Sequence, residues 1–118
     1  MANELNASVS LSFLKSDAQV QAIASSAFDV TGDAYGKIVQ EVGTTEEELN
    51  QPGEVGTPGW TYVRNLDDTN YVEIGCVTTS YTIKLKAGEF CLFRASGSTI
   101  YAKANTAACN VEFCVVED

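Results

Sequence analysis

The chain contains no histidine. Imidazole is the commonest general base near neutral pH, so serine and cysteine triads and most catalytic zinc or non-haem iron sites are excluded. Paired-carboxylate chemistry survives that filter, because Asp and Glu number 16. No two of them stand apart by spacing, however, and a carboxylate hydrolase is the weakest functional reading. Basic residues are scarce as well. Seven Lys and Arg leave a net charge of −9, divided unevenly: residues 1–58 hold two basic and nine acidic residues, residues 59–118 five and seven. Nucleic-acid binding rests on Lys and Arg displacing counterions, and no run of four basic residues occurs. Neither nucleic acid nor an anionic membrane is an expected partner.

Other features are missing too. No apolar run approaches 18 residues, so no membrane-spanning helix is expected. The opening MANELNASVS has neither the positive nor the apolar stretch of a secretory signal, which points to synthesis in a cytoplasm. Cys76, Cys91, Cys109 and Cys114 include no CxxC pair and have no histidine to join them. They read as reduced, small buried side chains on strands, ahead of a zinc site or a disulfide formed after release from a cell. KAGE lacks the glycine spacing of a phosphate loop. No cofactor and no resident metal are expected.

What is present is period-two alternation along most of 118 residues, a length that fits one domain spanning residues 1–118. In NASVSLSFL, Ala7, Val9, Leu11 and Phe13 alternate with serines, giving a half-buried strand. Residues 17–27 fit a helical stripe or a strand, and the extended form is favoured. SAFDV and KIVQEV follow, with TGDAYG between them as a hairpin turn. TTEEELN carries a capping box and predicts one helical turn, stopped by Gln51–Pro52–Gly53; the Glu46–Glu48 run reads as solvated. From Gly59 onward, WTYVRN, NYVEIG, YTIKLK, EFCLFRA, TIYAKA and NVEFCVVE predict six short strands separated by turn residues. Tyr81, Ile83 and Leu85 should face opposite to Thr82, Lys84 and Lys86, the lysines guarding an exposed strand. Val111, Phe113 and Val115 should line the core. The expected fold is all-β: a two-sheet antiparallel sandwich of eight or nine strands with at most one helical turn, jelly-roll-like or another Greek key. Mobility is expected in an arm at Met1–Asn6 and in the Gly/Pro-rich stretch Gln51–Gly59.

Two groups of residues are candidates for binding. NLDDTN offers the oxygens of Asn65, Asp67, Asp68 and Asn70, with Glu73 nearby. Calcium wants six to eight such ligands, yet the spacing is not that of an EF-hand loop. Asx side chains commonly bond backbone amides two residues on, so the bend between two strands is the stronger reading. Trp60, Tyr62, Tyr71, Tyr81 and Tyr101 could form a sugar-binding face, although strand aromatics are more often packing residues. Trp60 and Tyr62 share one parity, opposite Val63, so one of those faces points outward or against a neighbour. The candidate interface residues are Trp60, Tyr62, Tyr101, Asn3 and Glu4.

GWTYVRNLDDTNYVEIG, IKLKAGEF with LFR, IYAKA and the terminal VEFCVVED form an ordered series. Over residues 36–118 it resembles small structural proteins of tailed bacteriophages. The resemblance implies a capsid cement or decoration protein, a β-sandwich or jelly-roll that oligomerises on the virion head. Its expected partners are the major capsid protein and further copies of itself, as dimer or trimer, on the capsid exterior. It assigns no individual contact residue. The alternative is a receptor- or carbohydrate-binding sandwich of a tail fibre or spike, which would use the aromatics and calcium at Asp67 and Asp68.

Overall fold

The computed structural model describes residues 3–118 and contains ten strands, with no helix among the described residues. Two compact units divide the chain at Thr31/Gly32. The first is a single hairpin of β1 (Leu5–Lys15) and β2 (Ala18–Phe28), in unbroken antiparallel register from Leu5↔Phe28 to Lys15↔Ala18. Its two-residue loop, Ser16–Asp17, places Ser16 at φ 52°, the positive φ that tight hairpin loops require. At the base, the Asn3 amide donates to Asp29 Oδ1 at 2.6 Å and the Val30 amide to Glu4 Oε2 at 3.1 Å. Residues 17–27 are therefore strand, apart from Asp17 in the turn. The arm expected at Met1–Asn6 falls partly outside the described residues, and from Leu5 onward it belongs to β1.

One expected hairpin does not form. SAFDV ends β2, which pairs with β1, while β3 (Tyr35–Val42) pairs with the far end of the chain. Closing β2 onto β1 through a two-residue loop costs little chain entropy, so the local pairing wins and TGDAYG becomes the connection between the units.

The second unit, Gly32–Asp118, is a two-sheet sandwich. One sheet orders its strands β3, β10 (Cys109–Glu117), β5 (Pro58–Asn65), β8 (Phe90–Arg94). The other runs β4 (Glu47–Glu48), β9 (Tyr101–Ala104), β6 (Val72–Gly75), β7 (Ile83–Leu85). Every pairing is antiparallel. All six strands read from Gly59 onward are present. Val42, Val63, Val111, Phe113 and Val115 from the first sheet meet Val72, Ile74, Leu85, Ala102 and Ala104 from the second in one core. Phe113 is its largest fully buried side chain. On the edge strand β7, Leu85 is buried and Lys84 exposed, its Nζ 4.2 Å from the Tyr71 ring centroid.

The helical turn expected in TTEEELN is replaced by the two-residue strand β4. The Glu47 carboxylate, which would cap a helix begun at Thr44, is engaged elsewhere. Glu47 Oε2 accepts from the Gly43 amide at 3.0 Å and Oε1 from Gln40 Nε2 at 2.8 Å. Pairing with β9 carries the chain to Leu49, which is buried and donates its amide to Ile100 O at 2.8 Å. A helix would forfeit that burial, and apolar burial outweighs a capping preference of about 1 kcal/mol.

Loop order comes from carboxylates. Glu117 accepts from the amides of Gly56 (2.8 Å), Asp33 (3.1 Å) and Ala34 (3.4 Å), fastening two loops to β10. Gln51–Gly59 is thus tied through Gly56, with Val55 and Pro58 buried. Glu46 accepts from the Thr78 and Tyr81 hydroxyls and from the Thr79 amide. Tyr81 is pushed up to about 12, chiefly by that bond to Glu46. In the LKAGEF turn, Gly88 at φ 76° occupies the third position of a four-residue turn closed by Glu89 N–H to Lys86 O at 3.0 Å, where type II geometry demands positive φ. Gly75 is required for space: a Cβ there would lie 2.0 Å from Ser80 O.

The Gly56, Ala34 and Asp33 amides hold the Glu117 carboxyl below its ordinary 4.5, and the Thr78 and Tyr81 hydroxyls with the Thr79 amide do the same for Glu46. A depressed folded pKa gives stability that is complete above the unfolded value and lost as pH falls through the folded one. Urea midpoints should therefore stay level above about pH 5 and drop progressively below about pH 4.5. Glu117→Gln, which removes one of the three depressed titrations (Asp67 is the third), should lower the midpoint at pH 7 and flatten its fall toward pH 3. An unchanged acid slope in that variant would disprove the assignment.

Candidate functional site

Alternation sends every second residue of the β3–β10–β5–β8 sheet away from the core. Thr61, Val63, Val111, Phe113 and Val115 go inward and are buried. Their neighbours emerge on the other side in cross-strand rows. Lys37, Cys114, Tyr62 and Leu92 form one row; Val39, Glu112, Arg64 and Phe90 form the next. Tyr35 lies opposite Val116 and Trp60 opposite Arg94. A register irregularity between Val115 and Glu117 separates those last two pairs.

The resulting surface exposes large apolar side chains. Tyr35 is 76% exposed, Phe90 66%, Val39 55% and Leu92 39%, while Trp60 and Tyr62 are half-buried between them. The charges on it are mostly paired: Lys37 with Glu112 at 4.0 Å, and Arg94 with Asp118. Such exposed pairs contribute little to stability. The Glu112 and Arg64 positions cross the middle of this face, between Val39 and Phe90, and the exposed apolar side chains on either side make it the candidate interaction surface.

Of the five interface residues expected from the sequence, the structure brings together Trp60 and Tyr62. Tyr101 points out from β9 in the opposite sheet, since its neighbours Ile100 and Ala102 are buried. Asn3 and Glu4 belong to the hairpin unit. Sequence reading missed Tyr35, Val39, Phe90 and Leu92. A signal existed: EFCLFRA is apolar at both parities, which a strand exposed on one side has no reason to be.

The five aromatics are likewise dispersed: Trp60 and Tyr62 lie on β5, Tyr101 on β9, and Tyr71 and Tyr81 in the segments before β6 and β7. Tyr71 carries Lys84 on its ring and Tyr81 bonds Glu46. In the NLDDTN bend the polar side chains serve the backbone. Fully buried Asn65 donates through Nδ2 to Asn70 O (2.9 Å) and Leu85 O (3.0 Å), and its Oδ1 accepts from the Asp67 amide (3.0 Å). Asp67 Oδ2 accepts from the Asn70 and Thr69 amides at 2.6 and 3.0 Å, which holds its carboxyl below the usual range. Asp68 Oδ1 accepts from the Thr69 hydroxyl at 2.9 Å. The strand-to-strand bend read from the sequence describes what these groups do. Among the described residues no cluster of three or more His, Cys, Asp or Glu is placed to hold a metal.

All four cysteines are free, with Cys91, Cys109 and Cys114 on strands and Cys76 just beyond β6. Burial pushes the Cys91 thiol up to about 11 and raises that of Cys109, the reverse of nucleophilic activation. A depression of about 380 Å³ opens beside Ile74, Ile83, Phe93 and Arg94, and no carboxylate lines it.

Asn65→Ala would strand the Asn70 and Leu85 carbonyls in the interior, at about 1–3 kcal/mol for a buried unsatisfied group. We expect a loss of roughly 2–4 kcal/mol in urea unfolding, against less than about 1 kcal/mol for Asp68→Asn at the exposed tip. Equal losses from the two variants would refute the division of labour in the bend.

Comparison with known proteins returns no match to a family model, a curated protein or a solved structure.

Proposed function

We propose that this protein is a non-enzymatic structural component of a phage particle, which binds the outside of the capsid lattice and bridges neighbouring capsid subunits. The observation that carries the reading is the outer face of the β3–β10–β5–β8 sheet, with Tyr35, Val39, Phe90 and Leu92 exposed around Trp60 and Tyr62. An open sheet face suits another protein surface better than a small substrate, which needs concave walls. Net charge of −9 suits a location outside a DNA-filled shell. We read the strand orders β3–β10–β5–β8 and β4–β9–β6–β7, in which the chain crosses repeatedly between sheets, as a jelly roll, the architecture the phage resemblance implies.

The mechanism is mass-action linkage. A protein that binds the assembled lattice and not its dissociated subunits stabilises the lattice by about 2.7 kcal/mol per site when free at 100 times its Kd. A capsid offers many identical sites, so modest contacts per copy sum over the shell. The receptor-binding alternative has less support, because the aromatics do not converge on one face.

The test is uptake. Purified protein mixed with expanded capsids lacking it, from the phage that encodes it, should co-sediment saturably and raise the temperature at which the capsids break open. Phe90→Asp with Leu92→Asp should weaken uptake at least about tenfold while leaving the fold intact. Failure of the unaltered protein to bind capsids defeats the proposal.

A further inference from the structure

Beyond its sandwich, the chain carries a hairpin whose own sheet has only two strands, and an isolated two-stranded ribbon is marginally stable in water. Directly opposed residues of a hairpin share a face. The register therefore sets Val9, Leu11 and Phe13 beside Ala24, Ala22 and Val20 on one face, and four serines and two glutamines with the exposed Ile23 and Leu14 on the other. The apolar face is open: Val9 is 54% exposed, Leu11 62%, Phe13 49% and Val20 56%. We infer that this face closes against the same face of a second copy of the chain, forming a two-fold dimer through paired hairpins.

Three observations favour a second copy over an unrelated partner. The first is shape. The face has a bulky strand, β1, and a small-residue strand, β2. A two-fold axis parallel to the strands lays β1 of each copy over β2 of the other at equal height. Leu11 then meets the partner copy's Ala22 position, and Val9 its Ala24 position, large side chain against small along the centre of the seam.

The second is charge. Gly32–Asp118 carries thirteen acidic and six basic residues, so sandwich units of two copies repel each other. Between Leu5 and Phe28 there are one acid and one base, Asp17 and Lys15, both at the tip. The hairpin seam adds no like-charge contact along its length, and the parallel arrangement brings Lys15 of each to the turn that holds the other's Asp17. The third is area. Eleven residues at about 3.3 Å each make a face roughly 36 Å long. With its flanks that exposes roughly 600 Å² per copy, or about 1,200 Å² for the pair, the lower end of what a specific interface buries.

The experiment uses the full chain in sedimentation velocity and native mass spectrometry, with Trp60 fluorescence and near-ultraviolet circular dichroism reporting the sandwich. The unaltered chain should sediment at twice 12.6 kDa. Leu11→Asp should raise the dimer Kd at least about 100-fold, whereas Ser10→Asp, on the opposite face of the same strand, should change it less than about threefold. Register is tested by mixing. Leu11→Ala leaves a gap and Ala22→Leu a clash, so each alone should weaken its own dimer about tenfold. One copy of each restores both contacts, so the mixture should form heterodimers in preference to either homodimer. A monomer at about 100 μM, as when the hairpin folds onto its own chain, would overturn the inference, since such a Kd is too weak for a specific dimer of this area. So would a mass of three copies, an effect of Ser10→Asp matching that of Leu11→Asp, or a mixture with no heterodimer preference.

Discussion

The sandwich depends on the parity of one strand. β10 lies between β3 and β5 and is hydrogen-bonded to both, so its register fixes three of the four strands in that sheet. Its odd-numbered residues, from Cys109 through Val111 and Phe113 to Val115, are fully buried, and its even-numbered ones, Glu112, Cys114 and Val116, turn away from the core. A slip by one residue would exchange the two sets, placing Glu112 in the core and Phe113 in water. Because side-chain period and pairing register are locked together, the same alternation that builds the core also creates the outer face. Trp60 and Tyr62 are outward for the reason that Thr61 and Val63 are inward.

Acidic residues have two separate roles in such a chain. Most keep the surface negative, but Glu46, Glu47, Asp67 and Glu117 each collect backbone or side-chain donors from loops. Antiparallel sheets leave loop amides unpaired at their ends, and a carboxylate with two oxygens can satisfy several at once. The chain thereby holds long connections, such as the one between β4 and β5, without helices. Glu117 at the end of β10 reaches both the Asp33–Ala34 segment and Gly56, so loop order is coupled to the strand that organises the core.

The all-β architecture and the strands after Gly59 were legible in the sequence because turn chemistry separates them cleanly: NLDDTN, AG and SGS each interrupt a run that alternates. The first half was harder for two reasons. TTEEELN satisfies a local helix rule, yet Leu49 is worth more buried against β9, a contact with a strand more than fifty residues away. TGDAYG has good turn composition, but composition does not say which strands it joins. The outer face was half legible. Trp60 and Tyr62 follow from parity within β5, whereas Phe90 and Leu92 join them only because β8 pairs with β5, and pairing order is not encoded in alternation. Tyr101 was misgrouped for the same reason, its parity being correct but its sheet being the other one.

The two units solve the exposure of apolar residues differently. In the sandwich, two sheets of one chain cover each other, and what remains outside is a face on which charge pairs lie among the apolar side chains. The hairpin has no second layer of its own, yet its sequence is that of a strand pair meant for one: Val, Leu and Phe on β1 alternate with serine, as they would over a core. Neither β1 between Leu5 and Leu14 nor β2 carries a charged side chain, so the edges lack the usual protection against further pairing. Ordering this ribbon costs backbone entropy of about 1–2 kcal/mol per residue, which hydrogen bonds to one neighbouring strand do not offset in water. A covering layer that arrives with every copy of the chain removes that deficit at a fixed stoichiometry. In the dimer proposed above, assembly and hairpin order become a single equilibrium, in which the concentration of the protein itself sets how much of the hairpin is formed.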